Sequence, residues 1–469
     1  MKLSEALAGL PQPLIVPRAR AEIRGGREGL RRPLVVIDDD PTGTQTVNDV
    51  NVYMEWSADL LRRALASDDP VFYVSTNSRG LEREQAETLA YELGHNLFEA
   101  ANATHTDPLP ASRSDSTLRG HFPYEVDALA SGMAREFDGV IIVPAFFEGG
   151  RYTINDIHYV QQADELVSAE QTEFARDPVF GYRSGNLRLW VEEKTGGAIV
   201  ADQVRSISLD TIRKRGPEAV AQELLQASSA QPVIVNAACY EDLEVFVFGL
   251  LAAEARGKRF IYRCAASFVK VRGGFEDRPL LTRREMAPKD APGLVVVGSY
   301  VTKTSRQLDV LLRSGLAAGI ELQVAALLDS QAREAEIGRV SDGLNDHLAR
   351  GRSAVVYTSR ATHSVGEDRF LEAGKKIMSG LCEVVGRIET QPGFLVAKGG
   401  ITSIEIARSA LGAREGFALG QALEGVPVWR LGSEARWSGI PYVVFPGNVG
   451  GDDALLNVVT ALQPQEEPI

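Results

Sequence analysis

Short runs of aliphatic and β-branched residues recur along this chain, each leading into a polar or glycine-rich loop and then a stretch with apolar residues at helical spacing. Leu34 to Ile37, Val71 to Val74, Gly139 to Val143, Gln231 to Val235 and Arg259 to Ala265 read as strands in the first half. Ala58 to Ala66, Glu82 to Ala101 and Asp242 to Ala255 read as helices between them. Asn51 to Met54 reads as a second short strand, and Asn186 to Glu192 as a short edge strand. The pattern restarts at Leu294 to Val297 and continues through Ala354 to Tyr357, Phe394 to Ala397 and Tyr442 to Phe445. Alternation of this kind builds a parallel sheet with helices on its faces, and such sheets bind ligands beyond the carboxyl ends of their strands.

The expected fold class is therefore α/β. Two domains are expected, each a largely parallel sheet flanked by helices, with a cleft between them. A chain of 469 residues is too long for one ordinary core. Residues 272–292 lose hydrophobic periodicity and carry charges, Pro and Gly, so they read as a linker. This gives an N-terminal extension over 1–32, a first domain over 33–271 and a second over 293–469. The net charge of −13 argues against nucleic acid and acidic membrane as partners, but leaves room for a small anionic ligand held by a local cluster of Arg. Cys239, Cys264 and Cys382 are scattered, with no CxxC, which suits a reducing cytoplasm better than a disulfide framework or a zinc site. No apolar run approaches the ~20 residues of a membrane span.

The first strand runs into Asp38-Asp39-Asp40-Pro41-Thr42-Gly43-Thr44. Three adjacent carboxylates repel one another, so burying them needs a cation or hydrogen-bond donors. The other strand exits of the first half supply such groups: Ser75, Asn77 and Arg79; then Arg113, Asp115, Ser116 and Arg119; then Arg151. Guanidinium forks suit carboxylates, and these loops together suit an anionic, hydroxyl-rich ligand. Asp39 or Asp115 could accept a hydroxyl proton during attack on a phosphoryl group. His121 and His158 read as ordinary hydrogen-bonding residues, and Cys264 as core filler. In the second half, Gly298-Ser299 with Thr302, Gly399 to Thr402, and Gly447-Asn448 with Gly450 each join a buried strand to a helix. Glycine lets backbone N–H groups approach phosphate. Neither a Walker A loop nor a GxGxxG fingerprint occurs.

The order of these motifs resembles the four-carbon acid sugar kinases. Asp115 to Gly120 matches that family's Asp-Ser-Thr-Leu-Arg-Gly motif outright, the acidic turn resembles its opening motif, and Gly150 to Thr153 and the three glycine loops resemble its later ones. The resemblance spans nearly everything from residue 33 to 462. It implies transfer of the ATP γ-phosphate to a hydroxyl of a threonate-, erythronate- or 3-oxo-tetronate-type acid. On this reading Asp39 and Asp115 are catalytic, and Asp40, Thr42, Gly43, Ser75, Asn77, Arg79, Ser116, Arg119 and Arg151 bind the acid. Ser299, Thr302, Gly399, Gly400, Ile401, Thr402, Gly447, Asn448 and Gly450 bind ATP. Mg²⁺ rides on the ATP phosphates, where it would also offset the acidic turn. Pro41, Asn77, Arg113 and His121 depart from the family's usual residues on the acid side, so the acid stays open, as does the choice between Asp39 and Asp115 as base. A homodimer is one assembly open to such a chain. Two other readings fit parts of the sequence. Asp38-x-Asp40-x-Thr42 matches the nucleophile loop of haloacid-dehalogenase-like phosphatases, and a non-catalytic sugar-acid-binding regulator could use the same scaffold.

Overall fold

Strand β1 (Leu34–Asp38) is buried along its whole length, as its aliphatic run requires. In the computed structural model, which describes residues 2–26, 31–359 and 370–464, β1 lies at the switch point of a parallel sheet. The next strand in sequence, β2 (Val50–Tyr53), belongs to the second unit. The chain returns with β3 (Val71–Ser75), β4 (Leu109–Arg113) and β5 (Gly139–Val143). An antiparallel meander follows: β6 (Arg151–Ile154), β7 (Ile157–Gln162) and β8 (Glu165–Ser168). Then come β9 (Arg205–Ile207), β10 (Gln231–Val235) and β11 (Phe260–Cys264). The sheet order is β3-β1-β4-β11-β5-β10-β9, parallel throughout. Because β1 pairs with β3 on one side and β4 on the other, the loops leaving these three strands emerge side by side.

The chain divides into two units, one of Met1–Thr46 with Glu55–Asp277, the other of Val47–Met54 with Arg278–Ile469. Val47–Met54 thus belong to the second unit although they follow the opening strand directly, and β2 pairs there with β16 (Glu415–Leu423). The described part of the extension packs on the first unit; Met1 and residues 27–30 lie outside the described residues. Arg20 pairs with Glu244 at 2.9 Å, and Arg213 donates to the Pro11 carbonyl at 2.5 Å. Arg272 closes a buried ion pair with Glu254 at 2.7 Å at the end of the helix Ala266–Gly273.

The second unit holds β12 (Leu294–Val297), β13 (Ala318–Leu322), β14 (Ala354–Thr358), β15 (Leu395–Lys398), β17 (Val426–Leu431) and β18 (Pro441–Phe445). Strands β13-β14-β12-β15-β18 run parallel, and β17, β16 and β2 extend the sheet antiparallel. Its core joins Val295, Val297, Val396, Val443 and Phe445 to the helix Ala454–Leu462.

One expected strand is a helix. Asn186–Glu192, expected as an edge strand, instead leads into a helix over Leu187–Lys194. The Asn186 side chain caps it, accepting from the backbone N–H groups of Arg188 at 3.0 Å and Leu189 at 3.4 Å. Leu187, Trp190 and Val191 are its buried face. Their three-and-four spacing, not alternation, is the signal that decides the element. No helix among the described residues is long and apolar enough to cross a membrane.

Candidate functional site

Four strand exits of the first unit carry the polar groups, those of β1, β3, β4 and β5. After β1 the chain turns tightly at Pro41 and Gly43, and this turn closes on Asp38. A Cβ on Gly43 would lie 1.6 Å from Asp38 Oδ2, so no side chain can stand there. Asp38 is fully buried beside Arg113, its register partner on β4, at 3.2 Å. Burial pushes its carboxyl up to about 7 against the pull of Arg113. A phosphatase nucleophile at Asp38 would need an open approach; here Gly43 and Arg113 occupy it.

Asp39 and Asp40 point elsewhere. Arg79, in the loop after β3, forks onto Asp39 with Nη2 at 2.5 Å from Oδ1 and Nε at 3.2 Å from Oδ2. Its Nη1 reaches Asp40 Oδ2 at 3.1 Å and lies 3.8 Å from Asp115 Oδ1. One guanidinium thus answers three carboxylates from two strand exits. Asn77, two residues earlier, takes the left-handed backbone that turns this loop. Asp40 also accepts from the Thr42 N–H at 2.8 Å and hydroxyl at 2.6 Å, so Thr42 is spent on its own turn.

Asp115 follows β4. It accepts from Arg119 Nε at 2.8 Å, from the Thr117 hydroxyl and from the Thr117 N–H at 3.3 Å. Although burial opposes it, Arg79 and Arg119 together hold this carboxyl far below the usual carboxylate range. The loop is pinned from outside. The Ser116 carbonyl accepts from His158 Nε2 at 2.7 Å, the Thr117 carbonyl from the Tyr182 hydroxyl at 2.8 Å. Burial keeps His158 down near about 4, so its ring is neutral and structural.

Arg151, at the start of β6, differs from the other arginines. Among the described residues no carboxylate lies within ion-pair distance of it, and its Nε is buried without a partner. Burial lowers its pKa, and Asp115 is the largest opposing influence. Its guanidinium stands 5.7 Å from the Phe174 ring, and Arg119 stands 5.1 Å from the same ring. Asp39, Asp40, Arg79, Asp115, Arg119 and Arg151 are therefore brought together. Ser75 is buried at the end of β3 in register with Asp38, its hydroxyl without a hydrogen-bond partner among the described residues. The Ser116 carbonyl serves the scaffold, and Gly43 serves the turn.

Sequence reasoning missed Arg263 and Glu125. Arg263, buried on β11, donates to the Arg119 carbonyl at 2.9 Å. Its signal was a lone cation inside the apolar run Phe260 to Cys264.

In the second unit the three glycine loops interlock. Thr304 donates to Ser299 Oγ at 3.1 Å and to the Gly447 carbonyl at 3.0 Å. A Cβ on Gly298 would meet Thr402 Oγ1 at 2.3 Å, and Gly399 holds φ +124°. Gly450 also has a positive φ, +81°. Thr302, Ile401 and Asn448 are exposed, Thr402 is buried, and Gly400 opens the helix Gly400–Glu405. Lys398, also missed as a site residue, is fully buried and donates to the Pro446 carbonyl at 2.5 Å and the Gly447 carbonyl at 3.2 Å. Burial, with Lys303 adding, lowers its ammonium to about 7.

Among the described residues no group of three or more His, Cys, Asp or Glu is arranged to hold a metal ion. The acidic turn is answered by Arg79 and Arg113, so the residues present do not form a metal cage.

The sugar-binding N-terminal domain family matches residues 34–272, and the nucleotide-binding C-terminal domain family matches residues 294–455. The chain is 26% identical over 466 residues to the D-erythronate kinase of Heliobacterium modesticaldum, covering 92% of this chain and 97% of that one. It is 27% identical over 393 residues to the D-threonate kinase of Salmonella typhimurium, covering 80% and 81%. A solved structure from Salmonella typhimurium LT2 superposes with a TM-score of 0.67 at 15% identity, covering 91% of this chain and 98% of that one. One from Haemophilus influenzae gives 0.63 at 18%, covering 92% and 100%. These two likenesses show the fold.

Proposed function

The chain belongs to the four-carbon acid sugar kinase family, with its sugar-binding N-terminal and nucleotide-binding C-terminal domains, and on that premise we propose that it transfers the γ-phosphate of ATP to a hydroxyl of a four-carbon sugar acid. The erythronate and threonate kinases above point to that substrate class. The observation that carries the reading is Arg151, a largely buried cation facing the Asp39–Arg79–Asp115 cluster with no carboxylate partner among the described residues. A ligand carboxylate supplies that partner. Arg119 and Asp115 then orient hydroxyls. Asp115 is held by two arginines that stabilise its charged form; we assign the role of general base to Asp39, which Arg79 alone among the described residues holds in place. Phosphoryl transfer asks mostly for positioning and charge neutralisation, and four arginines at one sheet edge suit that demand.

The nucleotide belongs to the Ser299, Gly399–Thr402 and Gly447–Gly450 loops, whose backbone N–H groups can face phosphate. Mg²⁺ enters on the ATP phosphates, not on a protein cage. Three free thiols fit a cytoplasmic setting.

Arg151→Met is expected to raise KM for the acid about 10- to 100-fold and leave KM for ATP unchanged. Coupled measurement of ADP release against both substrates checks this, and an unchanged acid KM contradicts the assignment of Arg151.

A further inference from the structure

Beside Asp39 lies a cavity of about 10 Å³ whose lining includes none of the arginines. That is room for about one water molecule. Asp39, Ser78, Ser112 and Glu125 line it together with apolar residues such as Ile37 and Leu129. Four of the lining residues are polar, and Asp39 and Glu125 offer carboxylate oxygens to a water held there. Glu125 sits in the first turn of the helix Tyr124–Gly132 and is buried. An acid at such a depth calls for a reason, since the helix needs only an apolar residue to pack.

The surroundings of Glu125 are known on every side. The Ser78 hydroxyl and the His121 backbone N–H donate to it, and Asp39 faces it across the cavity from the end of β1. Arg263 approaches from β11, but donates to the Arg119 carbonyl and not to Glu125. His121, from the segment just before the helix, is turned to the Ser78 carbonyl at 3.2 Å. Leu89 and Ala90 close the remaining side. Among the described residues Glu125 therefore has no ion-pair partner, and the carboxyl that acts on it is Asp39. Burial, with the charge of Asp39 next, raises Glu125 to about 7.

We propose that Glu125 is a positioning residue that takes over the proton collected by Asp39, through a single water held in the cavity between them. The inference rests on the kinase reading above. As the substrate oxygen forms its bond to phosphorus, the bridging P–O bond to ADP breaks and its electron pair stays on ADP. The hydroxyl proton passes to Asp39, from Asp39 to the water, and from the water to ionised Glu125. Asp39 is thereby returned to its charged, Arg79-paired form. After product leaves, Glu125 gives the proton back along the same path to solvent.

The test is a pH profile of kcat for the intact protein, Glu125→Gln and Glu125→Asp. Turnover of the unaltered protein should rise with a one-proton slope through about pH 7, because only ionised Glu125 can accept. Glu125→Gln should lose that rise and fall about 10²-fold on the alkaline plateau, with KM for the acid unchanged; Glu125→Asp should keep the rise. A purely structural Glu125 predicts that Gln, which keeps the shape and one donor, leaves the profile intact, and that result overturns the proposal while the turnover itself sustains the kinase reading. If no acid is turned over, the kinase reading fails, and an infrared titration of the protonated carboxyls decides the coupling alone. A band titrating near 7, absent in Glu125→Gln and moved to lower pH in Asp39→Asn, supports proton sharing. The same band unmoved by Asp39→Asn overturns it. The Gln variant also separates Glu125 from Asp38, the other carboxyl raised to about 7 at this edge.

Discussion

Arg79→Met should cost the protein about 3–5 kcal/mol of stability and abolish acid binding in the same step. The reason is the number of charges that depend on one guanidinium. Asp39 and Asp40 accept from it directly, and Asp115 lies 3.8 Å away. Asp39 is almost wholly buried, and the guanidinium is about four-fifths buried. Removing the cation leaves these carboxylates facing one another in a poorly solvated site. Breaking a buried pair from one side costs far more than the pair contributes, because the remaining charge keeps its desolvation penalty. Denaturant unfolding at pH 7 measures the loss. Its direction with pH follows from Asp115, whose folded pKa lies below the unfolded value. The stability linked to that carboxylate is present above about pH 4 and is lost as pH falls. The deficit of Arg79→Met should therefore be largest near neutrality and shrink in acid. A variant as stable as the unaltered protein would show that the arrangement of carboxylates around Arg79 is not what holds the turn.

Asp39→Asn should lower kcat about 10²- to 10⁴-fold while leaving acid and nucleotide affinity nearly intact. Asparagine keeps the size of the side chain and one acceptor for Arg79, so the site keeps its shape. What it cannot do is take a proton. Asp115→Asn should behave differently. Asp115 holds Arg119, so its loss should appear in acid KM as well as in kcat. A split of this kind, kcat alone for position 39 and both constants for position 115, would separate base from positioning residue. Equal effects on both constants at both positions would contradict the assignment of the base.

Much of this architecture is legible in the sequence because strands and their exits announce themselves. Leu34 to Ile37 could only be a buried strand, and three aspartates at its end could only be expensive without a cation. That the cation is Arg79 and that the pairing is shared were not legible, because they depend on β1 lying between β3 and β4. Val50–Tyr53 shows the limit of alternation as a guide. Its period says strand, but nothing local says that its partner is Glu415–Leu423, more than 350 positions away. Asn186 shows a different failure. A capping residue followed by Leu187, Trp190 and Val191 at three-and-four spacing carries the helical signal, which the edge-strand expectation leaves out. Arg263 and Lys398 escaped because a single charge in an apolar run looks like noise until its neighbours are known, and Glu125 because it shares a helix's first turn with Asp127. Each is buried, and each sits at a strand end or at a helix start that faces the loops. A lone ionisable residue at such a place is the signal that could have found them.

The most direct test of the central claim is ADP release from Mg·ATP measured against threonate, erythronate and their 3-oxo forms, with Asp39→Asn run in parallel. The account predicts that at least one of these acids drives ADP release well above the rate without acid, and that the Asn variant loses that release while still binding the acid. Release that no acid accelerates, from a protein that binds ATP, would contradict it.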